Sequence, residues 1–496
     1  MLTRGRRGES KVSSQVLRGD PAPAGSERRA EAIRARLHAS GQSQVFRFWD
    51  RLDASGRARL LEQLEQIDLD ALAAAERAIR APAATASGAL QPPAVELLPE
   101  RGGDAARMRQ AEQLGREMLA AGRVAALVVA GGQATRLGYG GPKGCFPLGP
   151  VTRRSLFELQ AQKLRGLERR HGAAVPWYIM TSPATDAATR AFFEQHGRFG
   201  LAGENLRIFR QGSVPSLDLA GRMILSAPDQ VFENPDGHGG VIPALARESC
   251  LAELAARGID TLFYYQVDNP LVRLADPGFL GLHALSGAEI SCKVVRKREP
   301  GEKVGVLASR GGRLGVVEYT ELEDSERGAR EADGSLRFWA GNIAVHVFSL
   351  DFLARIAARA EALLPFHASP KPIPTLDDAG RPVAPAAPNG YKLERFVFDA
   401  LAAAERVCAV EARREEEFAP VKNASGADSP QTARDALSRC YRRWLTAAQI
   451  EAPAEPDWIE IDHSRVDGPE DARALGVRRF SEAPDVLRAG LGATTA

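Results

Sequence analysis

The chain has 496 residues, 44% of them hydrophobic, which predicts two or three domains with sizeable cores. Its 65 basic and 63 acidic residues leave a net charge of only +2, so composition favours neither a nucleic-acid partner nor a membrane surface. Five scattered cysteines without C-x-x-C spacing argue against a disulfide framework and a structural zinc site, and predict a reducing, cytoplasmic location. No apolar run has the length of a transmembrane helix.

The first 110 residues are predicted to be a tail followed by helices and a linker. Residues 1–36 hold nine Lys/Arg against four Asp/Glu and few large apolar residues, so we expect a disordered basic tail of unassigned role. Residues 37–110 are predicted to form a helical region and a linker. Val45, Phe48 and Trp49 recur at helical spacing, Asp53 to Gly56 separates two helices, and residues 81–98 are rich in Ala, Pro and Ser.

From about residue 111 the pattern alternates between apolar strands and amphipathic helices. Strand 124–130 precedes a helix at 155–171, strand 175–180 precedes a helix at 184–196, and a helix at 243–257 precedes strand 261–267. The alternation predicts a mostly parallel sheet covered by helices, with ligands bound beyond the carboxyl ends of the strands. We place this domain at 111–408 and a small C-terminal domain at 409–496.

The most informative segment follows the first of these strands. Ala130, Gly131 and Gly132 lead into Arg136 and then Lys143 on a proline-containing loop. Glycine allows a ligand to approach the backbone, turn N–H groups bind anions, and the two cations add positive charge. The spacing matches neither the P-loop nor the G-x-G-x-x-G fingerprint, so we predict a different nucleoside triphosphate site.

A second candidate is the carboxylate at the end of strand 261–267. Asp268 is followed by Asn269 and a proline, a combination that by itself can be an ordinary turn. Beside a triphosphate, Asp268 is suited to Mg²⁺ (or Mn²⁺), since Mg²⁺ takes one or two carboxylates and phosphate oxygens. It can alternatively bind a sugar hydroxyl.

The string A-G-G-Q-x-T-R-L-G…P-K-G resembles the signature of the UDPGP-type uridylyltransferases, the family of UDP-N-acetylglucosamine and UDP-sugar pyrophosphorylases. So do V-D-N at 267–269, N-G-Y-K-L-E-R-F-V-F-D at 389–399 and E-F-A-P-V-K-N-A at 417–424. The resemblance runs in order from about residue 40 to 445, and from about 450 to 496 it is weaker. Ala134 stands where the family usually has glycine, with an effect that the sequence does not define.

The resemblance implies an α/β fold: a Rossmann-like, GT-A-like nucleotidyltransferase with a mixed sheet flanked by helices, a helical N-terminal region and a small C-terminal domain. It also implies three groups of site residues. The catalytic cations are Arg136, Lys143, Lys392 and Lys422. The UTP-binding residues are Ala130, Gly131, Gly132, Lys143, Gln211, Gly237 and His238. The sugar-phosphate residues are Asp268, Asn269, Glu318, Asn342 and Lys392, with Asp268 also the metal ligand.

The expected activity is transfer of uridylyl from UTP to a hexose 1-phosphate, giving a UDP-sugar and pyrophosphate. Most matching strings favour N-acetylglucosamine 1-phosphate, whereas His238, in place of an asparagine, favours UDP-glucose or a broad-specificity enzyme. The alternative from another class is a non-catalytic sugar-nucleotide sensor. The sequence does not fix the sugar or the oligomeric state.

Overall fold

A computed structural model describes residues 24–80, 88–454 and 457–490. The helices in these ranges are α1 Ala24–Ala39, α2 Ala54–Gln66, α3 Leu69–Arg80, α4 Ala105–Ala120, α5 Leu156–His171, α6 Asp186–Gln195, α7 Val241–Arg247, α8 Cys250–Ala256, α9 Pro277–Leu285, α10 Asp324–Arg327, α11 Leu350–Ala357, α12 Ala360–Leu363, α13 Arg414–Glu417, α14 Pro430–Ala447 and α15 Pro469–Ala474.

The strands in the same ranges are β1 Leu90–Gln91, β2 Val124–Val129, β3 Trp177–Thr181, β4 Leu206–Arg210, β5 Ser213–Pro215, β6 Leu217–Asp218, β7 Leu225–Ala227, β8 Gln230–Val231, β9 Glu233–Pro235, β10 Thr261–Gln266, β11 Ile290–Arg296, β12 Val306–Arg310, β13 Arg313–Val317, β14 Ala340–Ser349, β15 His367–Lys371, β16 Thr375–Leu376, β17 Pro382–Val383, β18 Gly390–Glu394, β19 Val407–Glu411, β20 Trp458–Ile461 and β21 Leu487–Gly490.

A large mixed sheet lies among these elements, which confirms the predicted α/β fold class. Its main path runs β1-β12-β14-β10-β2-β3-β4, and β11, β13 and β19 attach to it. Strands β10, β2, β3 and β4 are parallel, whereas β14 is antiparallel to both β10 and β11. The apolar residues of β2 and β10, except Val129 at the end of β2, are buried on both faces, as expected for strands covered by helices.

The chain divides into two compact units that differ from the predicted domains. The first comprises residues 1–76, 215–234 and 369–392, and the second comprises 77–214, 235–368 and 393–496. The expected C-terminal domain, 409–496, belongs to the second unit, and β19, which contains its first residues, pairs with β11 of the main sheet. The expected linker also contains a strand, since Leu90 and Gln91 pair with β12.

The N-terminal prediction needs a correction. Residues 1–23 lie outside the described residues, but residues 24–36, expected to be disordered, belong to α1. Ala30, Ile33 and Leu37 share one face of α1 and are buried. Their spacing supplies the apolar stripe that the overall charge of the segment concealed. Phe48 and Trp49 lie beside and in short 3-10 turns rather than in an α-helix.

The predicted helix 243–257 is two helices. Ser249 adopts a left-handed backbone conformation (φ 60°) between α7 and α8, which a continuous helix excludes. By contrast, α5 agrees with its predicted bounds because its ends are encoded locally. Ser155 accepts a hydrogen bond from the Glu158 N–H at its start, and Gly172 ends it with φ 76°.

Candidate active site

The glycine loop and Asp268 meet at one edge of the sheet. In the parallel pair β2–β10, Val129 lies opposite Gln266, so residues 130–132 and 268–269 follow the carboxyl ends of adjacent strands. Strand β3 pairs with β2 on the other side and β4 with β3, which brings Gln211, immediately after β4, to the same edge. These candidate residues therefore lie together at the carboxyl ends of neighbouring strands, as the alternation of strands and helices predicted.

The glycine loop is ordered by its own backbone. Lys143 N–H donates to the Gly132 carbonyl (2.9 Å), and Ala134 N–H donates to the Gly141 carbonyl (2.9 Å). A Cβ at Gly131 would lie 2.5 Å from Gln211 Oε1, whereas one at Gly132 would meet no described atom within 4 Å. Glycine at 131 is thus required by the close approach of Gln211, and the space in front of Gly132 is open. Ala134 is fully buried at φ −96°, so its methyl group fits without a glycine-only conformation.

Lys143 links the two motifs. Its Nζ lies 3.3 Å from Asp268 Oδ2, and both side chains are mostly buried. Arg136 lies in the 3-10 turn Thr135–Leu137 and is exposed. A cation and a carboxylate brought together at a strand edge can hold both a polyphosphate and its counterion.

A buried carboxyl group orients Gln211. Gln211 Nε2 donates to Asp236 Oδ1 (3.2 Å), which leaves Oε1 on the side of Gly131. Burial raises the pKa of Asp236 to about 7, and the positive charges of Arg395 and Arg247 oppose that rise. Gly237 has φ 86°, and a Cβ there would lie 2.5 Å from the Arg395 carbonyl, so the turn after Asp236 requires glycine.

His238 is held as a neutral imidazole. Its Nδ1 accepts the N–H of Val397 (3.1 Å), and its ring stacks on Phe396 with centroids 5.3 Å apart. Burial lowers the pKa of His238 to about 4. Since Nδ1 is an acceptor, the ring proton is on Nε2, and the side chain can donate one hydrogen bond at neutral pH.

A cavity of about 1340 Å³ adjoins these residues. Six residues named from the sequence line it: His238, Asp268, Asn269, Glu318, Asn342 and Lys422. Burial, reinforced by Glu321, raises the pKa of Glu318, while His367 and Lys422 act in the opposite direction. Asn342 in β14 uses its Oδ1 to accept the Ala344 N–H (3.1 Å). The cavity thus combines hydroxyl-binding groups with cations.

Asn269 and Lys392, both predicted to bind the sugar phosphate, differ in their surroundings from the other predicted residues. Asn269 is buried, its Nδ2 donates to the Glu417 carbonyl (2.6 Å), and its Oδ1 accepts the Ala419 N–H (3.1 Å). Its amide therefore ties the end of β10 to the segment that leads to Lys422, instead of being available to a sugar. Lys392 lies in β18, in the first unit, and its role as a phosphate clamp stays a prediction.

Some residues of this region were not singled out from the sequence. Asp236 orients Gln211, and the only local signal was its place before Gly-His-Gly-Gly. Gly305 lies between Glu318 and Asn342, the two residues predicted to bind the sugar. Its carbonyl accepts the Asn342 N–H (2.8 Å), and a Cβ there would lie 3.3 Å from Glu318 Oε1. Lys303 and Arg439 also line the cavity. These residues are far apart in the chain, and no sequence pattern connected them with the site.

The donor set fits Mg²⁺ in one particular way. Among the described residues, no three Asp, Glu, His or Cys side chains form a cluster that could hold a metal ion. Asp268 offers a carboxylate beside Lys143. One carboxylate completed by phosphate oxygens is a normal Mg²⁺ environment, so the residues suit an ion that arrives with a nucleotide.

With this geometry in place, comparison with known proteins assigns the class. Residues 87–432 match the family model described as UTP–glucose-1-phosphate uridylyltransferase, and the chain belongs to that family. A UDP-N-acetylhexosamine pyrophosphorylase-like protein 1 from Homo sapiens is 41% identical over 84% of this chain and 85% of its own. The UDP-N-acetylglucosamine pyrophosphorylase of Saccharomyces cerevisiae is 36% identical over 82% of this chain and 90% of its own.

A solved structure agrees with both. The UDP-N-acetylglucosamine pyrophosphorylase of Trypanosoma brucei, in complex with an inhibitor, has a TM-score of 0.78 and 30% identity, covering 90% of this chain and 94% of that one. The recognised family, fold and enzyme class are therefore confirmed.

Proposed function

We propose that the protein transfers uridylyl from UTP to a hexose 1-phosphate, most specifically N-acetylglucosamine 1-phosphate, and releases pyrophosphate. The observation that carries the proposal is the Lys143–Asp268 pair, which joins the glycine loop to the carboxylate at the end of β10 beside the large cavity. A protein that only sensed a nucleotide would not need both groups together with Lys422 in the cavity lining.

Gln211 is the proposed reader of uracil. Its Nε2 is engaged by Asp236, so Oε1 is the atom left to accept the N3–H of the base. Adenine has no donor at the corresponding ring nitrogen, and an unpaired polar group in a closed pocket discriminates strongly. Gly131 leaves the room that this amide needs.

The proposed reaction is an in-line displacement. An ionised oxygen of the sugar phosphate forms a bond to the α-phosphorus, the bond from that phosphorus to the bridging oxygen breaks, and pyrophosphate leaves. No general base is required, because the attacking oxygen is already ionised at pH 7. The protein therefore contributes positioning and positive charge. Arg136, Lys143 and Lys422 would neutralise the polyphosphate, and Lys392 the sugar phosphate.

Mg²⁺, or Mn²⁺, is proposed as the metal, with Asp268 as its protein ligand. When bound, it would neutralise charge on the phosphates. The remaining cavity residues would bind the sugar: Glu318 would accept hydrogen bonds from hydroxyl groups, and Asn342 Nδ2 would donate one. His238 Nε2–H supplies a further donor in the same cavity.

The choice of N-acetylglucosamine rests on two supports. Human, plant and yeast relatives that match over more than four-fifths of the chain carry N-acetylhexosamine or N-acetylglucosamine in their names. A cavity of about 1340 Å³ also has room for an N-acetyl substituent. The small-molecule substrates are the only partners we propose. No helix in the described ranges is long and apolar enough to cross a membrane. The cytoplasmic location also stays a proposal, supported by five buried free thiols.

Pyrophosphate release tests the proposal. Each of UTP and ATP is paired with N-acetylglucosamine 1-phosphate, N-acetylgalactosamine 1-phosphate and glucose 1-phosphate. We expect turnover with UTP and the N-acetylhexosamine phosphates, dependence on Mg²⁺, and little turnover with ATP. Binding of UTP without pyrophosphate release from any sugar phosphate would instead support the sensor. Equal rates with ATP and UTP would refute the assignment of Gln211.

A further inference from the structure

The C-terminal segment 457–490, which the sequence left without a role, contains a buried carboxylate, Glu460, that contacts the loop after the nucleotide motif. Glu460 lies in β20 and its side chain is 1% exposed. Its Oε2 accepts the N–H groups of Val151 and Thr152, both at 2.8 Å. Its Oε1 accepts the Thr152 hydroxyl and Arg154 Nη1, the latter at 3.2 Å. All four donors belong to loop 149–154.

The two residues before this loop are held from α14. Arg434 donates from Nε to the Leu148 carbonyl (3.1 Å) and from Nη2 to the Pro147 carbonyl (3.0 Å). Trp458, two residues before Glu460, has Arg153 and Arg434 over its ring and donates its indole N–H to Asp435 of α14 (2.8 Å). Helix α14 and strand β20 thus form one clamp on residues 147–154, which we call the C-terminal clamp.

The clamped residues are close in the chain to Lys143. Only three residues separate Lys143 from Pro147, a span of at most about 14 Å when fully extended. That short connection is itself tightly packed, because a Cβ at Gly144 would lie 2.2 Å from the ring of Phe157. The Phe146 carbonyl also accepts the Leu156 N–H (3.1 Å). Because the connection is short and tightly packed, a displacement of the clamped loop is expected to move Lys143 as well.

Helix α14 also faces the cavity. Thr432, Ala436, Arg439 and Arg443 recur at helical spacing and line it. Asp435 and Ser438, on another side of the helix, bond to β20, where Ser438 accepts the Ile459 N–H (3.0 Å). The contacts of the clamp therefore connect one wall of the cavity to the loop that follows Lys143.

We propose that segment 457–490 is a positioning element for the nucleotide, with Glu460 as the positioning residue that fixes loop 149–154 and thereby the place of Lys143. Glu460 does not touch the reacting groups. The inference depends on the proposed assignment of Lys143 to UTP. It predicts a defect in UTP use that a general loss of stability would not produce, since small misplacements of a binding group are costly in rate.

The test compares Glu460→Gln with Glu482→Gln in the full-length protein. Glu482 lies in the same segment and accepts two backbone N–H groups, from Arg478 and Arg479, but none from loop 149–154. The amide introduced by Glu460→Gln would set an NH₂ group against the Thr152 hydroxyl or the Arg154 guanidinium. We expect Glu460→Gln to raise KM for UTP roughly tenfold while KM for the sugar phosphate stays within about twofold. Glu482→Gln should leave both constants unchanged.

Two further measurements distinguish a displaced loop from a general loss of stability. Hydrogen exchange at the amides of Val151 and Thr152 should accelerate in Glu460→Gln and not in Glu482→Gln. Thr152→Val, which removes only the hydroxyl donor, should shift KM for UTP in the same direction by less, and it replaces Glu460→Gln if that variant does not fold. Equal changes of both KM values, or a lower melting temperature with an unchanged KM for UTP, would overturn the inference. If Lys143→Ala also left KM for UTP unchanged, the proposed nucleotide site would fall with it.

Discussion

Lys143 and Asp268 are 125 residues apart in the chain, yet their side chains form one ion pair. The ion pair orients both side chains at the carboxyl ends of the strands, so removing either residue also changes the position of the other. Lys143→Ala leaves a carboxylate without its nearest cation where a polyphosphate is proposed to bind. Asp268→Asn removes the proposed metal ligand but preserves shape.

We expect Lys143→Ala to reduce kcat/KM for UTP at least a hundredfold, and Asp268→Asn to reduce kcat by a similar factor, about 3 kcal/mol of barrier. Steady-state kinetics with each substrate varied separately measures both. Lys371→Ala is the control, because Lys371 is an exposed lysine that does not line the cavity. Near-normal kcat in Asp268→Asn would remove this residue from the metal role.

His238 allows a sharper test of sugar choice. Its Nδ1 accepts the Val397 N–H, and an asparagine Oδ1 can accept the same hydrogen bond while shortening the side chain that faces the cavity. We expect His238→Asn to fold and to raise the ratio of kcat/KM for N-acetylglucosamine 1-phosphate over glucose 1-phosphate. An unchanged ratio would mean that His238 does not select the sugar.

Burial of His238 determines how this residue affects the pH dependence of activity and stability. The pKa of His238 is lowered to about 4, so the ring is neutral from pH 6 to 9. Wild type and His238→Asn should therefore have pH–rate profiles of the same shape in that range. For stability the sign is definite: the unfolded chain binds the extra proton between pH 6.5 and 4, so the contribution of neutral His238 is lost as pH falls through that window. His283, whose pKa burial also lowers to about 4, acts in the same direction.

At the scale of secondary-structure elements, the sequence predicted the bounds of an element correctly where capping residues mark its ends. Ser155 and Gly172 bound α5, and apolar runs locate β2 and β10, so the shared edge that carries Gly131 and Asp268 followed from parallel pairing. The antiparallel insertion of β14 beside β10 was not predictable, because sequence period does not tell which distant strand will pair. Gln211 was named as a UTP-binding residue from family resemblance and not from spacing, and its close approach to Gly131 is a finding of the structure.

The break between α7 and α8 gives an element-scale prediction. Ser249 is held at φ 60°, and its hydroxyl makes no capping hydrogen bond, so its side chain contributes strain without a compensating contact at the start of α8. Ser249→Gly should stabilise the protein by roughly 1 kcal/mol, since glycine adopts this conformation without the Cβ penalty. Thermal unfolding measures the change, and Ser249→Ala, which retains the Cβ, should give no gain. Destabilisation by glycine would show that the hydroxyl has a role in the fold.

At the scale of the whole molecule, the chain crosses between its two units several times, and no change in amino-acid composition marks these crossings. Residues 215–234 and 369–392 leave the second unit and join the N-terminal helices in the first. The reason is physical: a unit is defined by which surfaces bury each other, and those surfaces come from segments hundreds of residues apart. An excess of arginine similarly concealed the buried stripe of α1.

Truncation of the N-terminus tests how much α1 contributes to the stability of the first unit. Within the first unit, α1 packs on α2, where Arg29 pairs with Glu65 and Arg36 donates to the Leu64 carbonyl. Deleting residues 1–36 removes the buried Ala30 and Ile33, and the Ile33 side chain alone is worth about 1.5–3 kcal/mol of burial. We expect this deletion to lower the melting temperature of the protein measurably, whereas deleting residues 1–23, few of them large and apolar, should leave it unchanged. Calorimetry of the two truncations beside the full chain distinguishes them, and Ile33→Ala in the full chain should reproduce part of the loss. Equal stability of all four proteins would mean that α1 contributes nothing to the stability of the first unit.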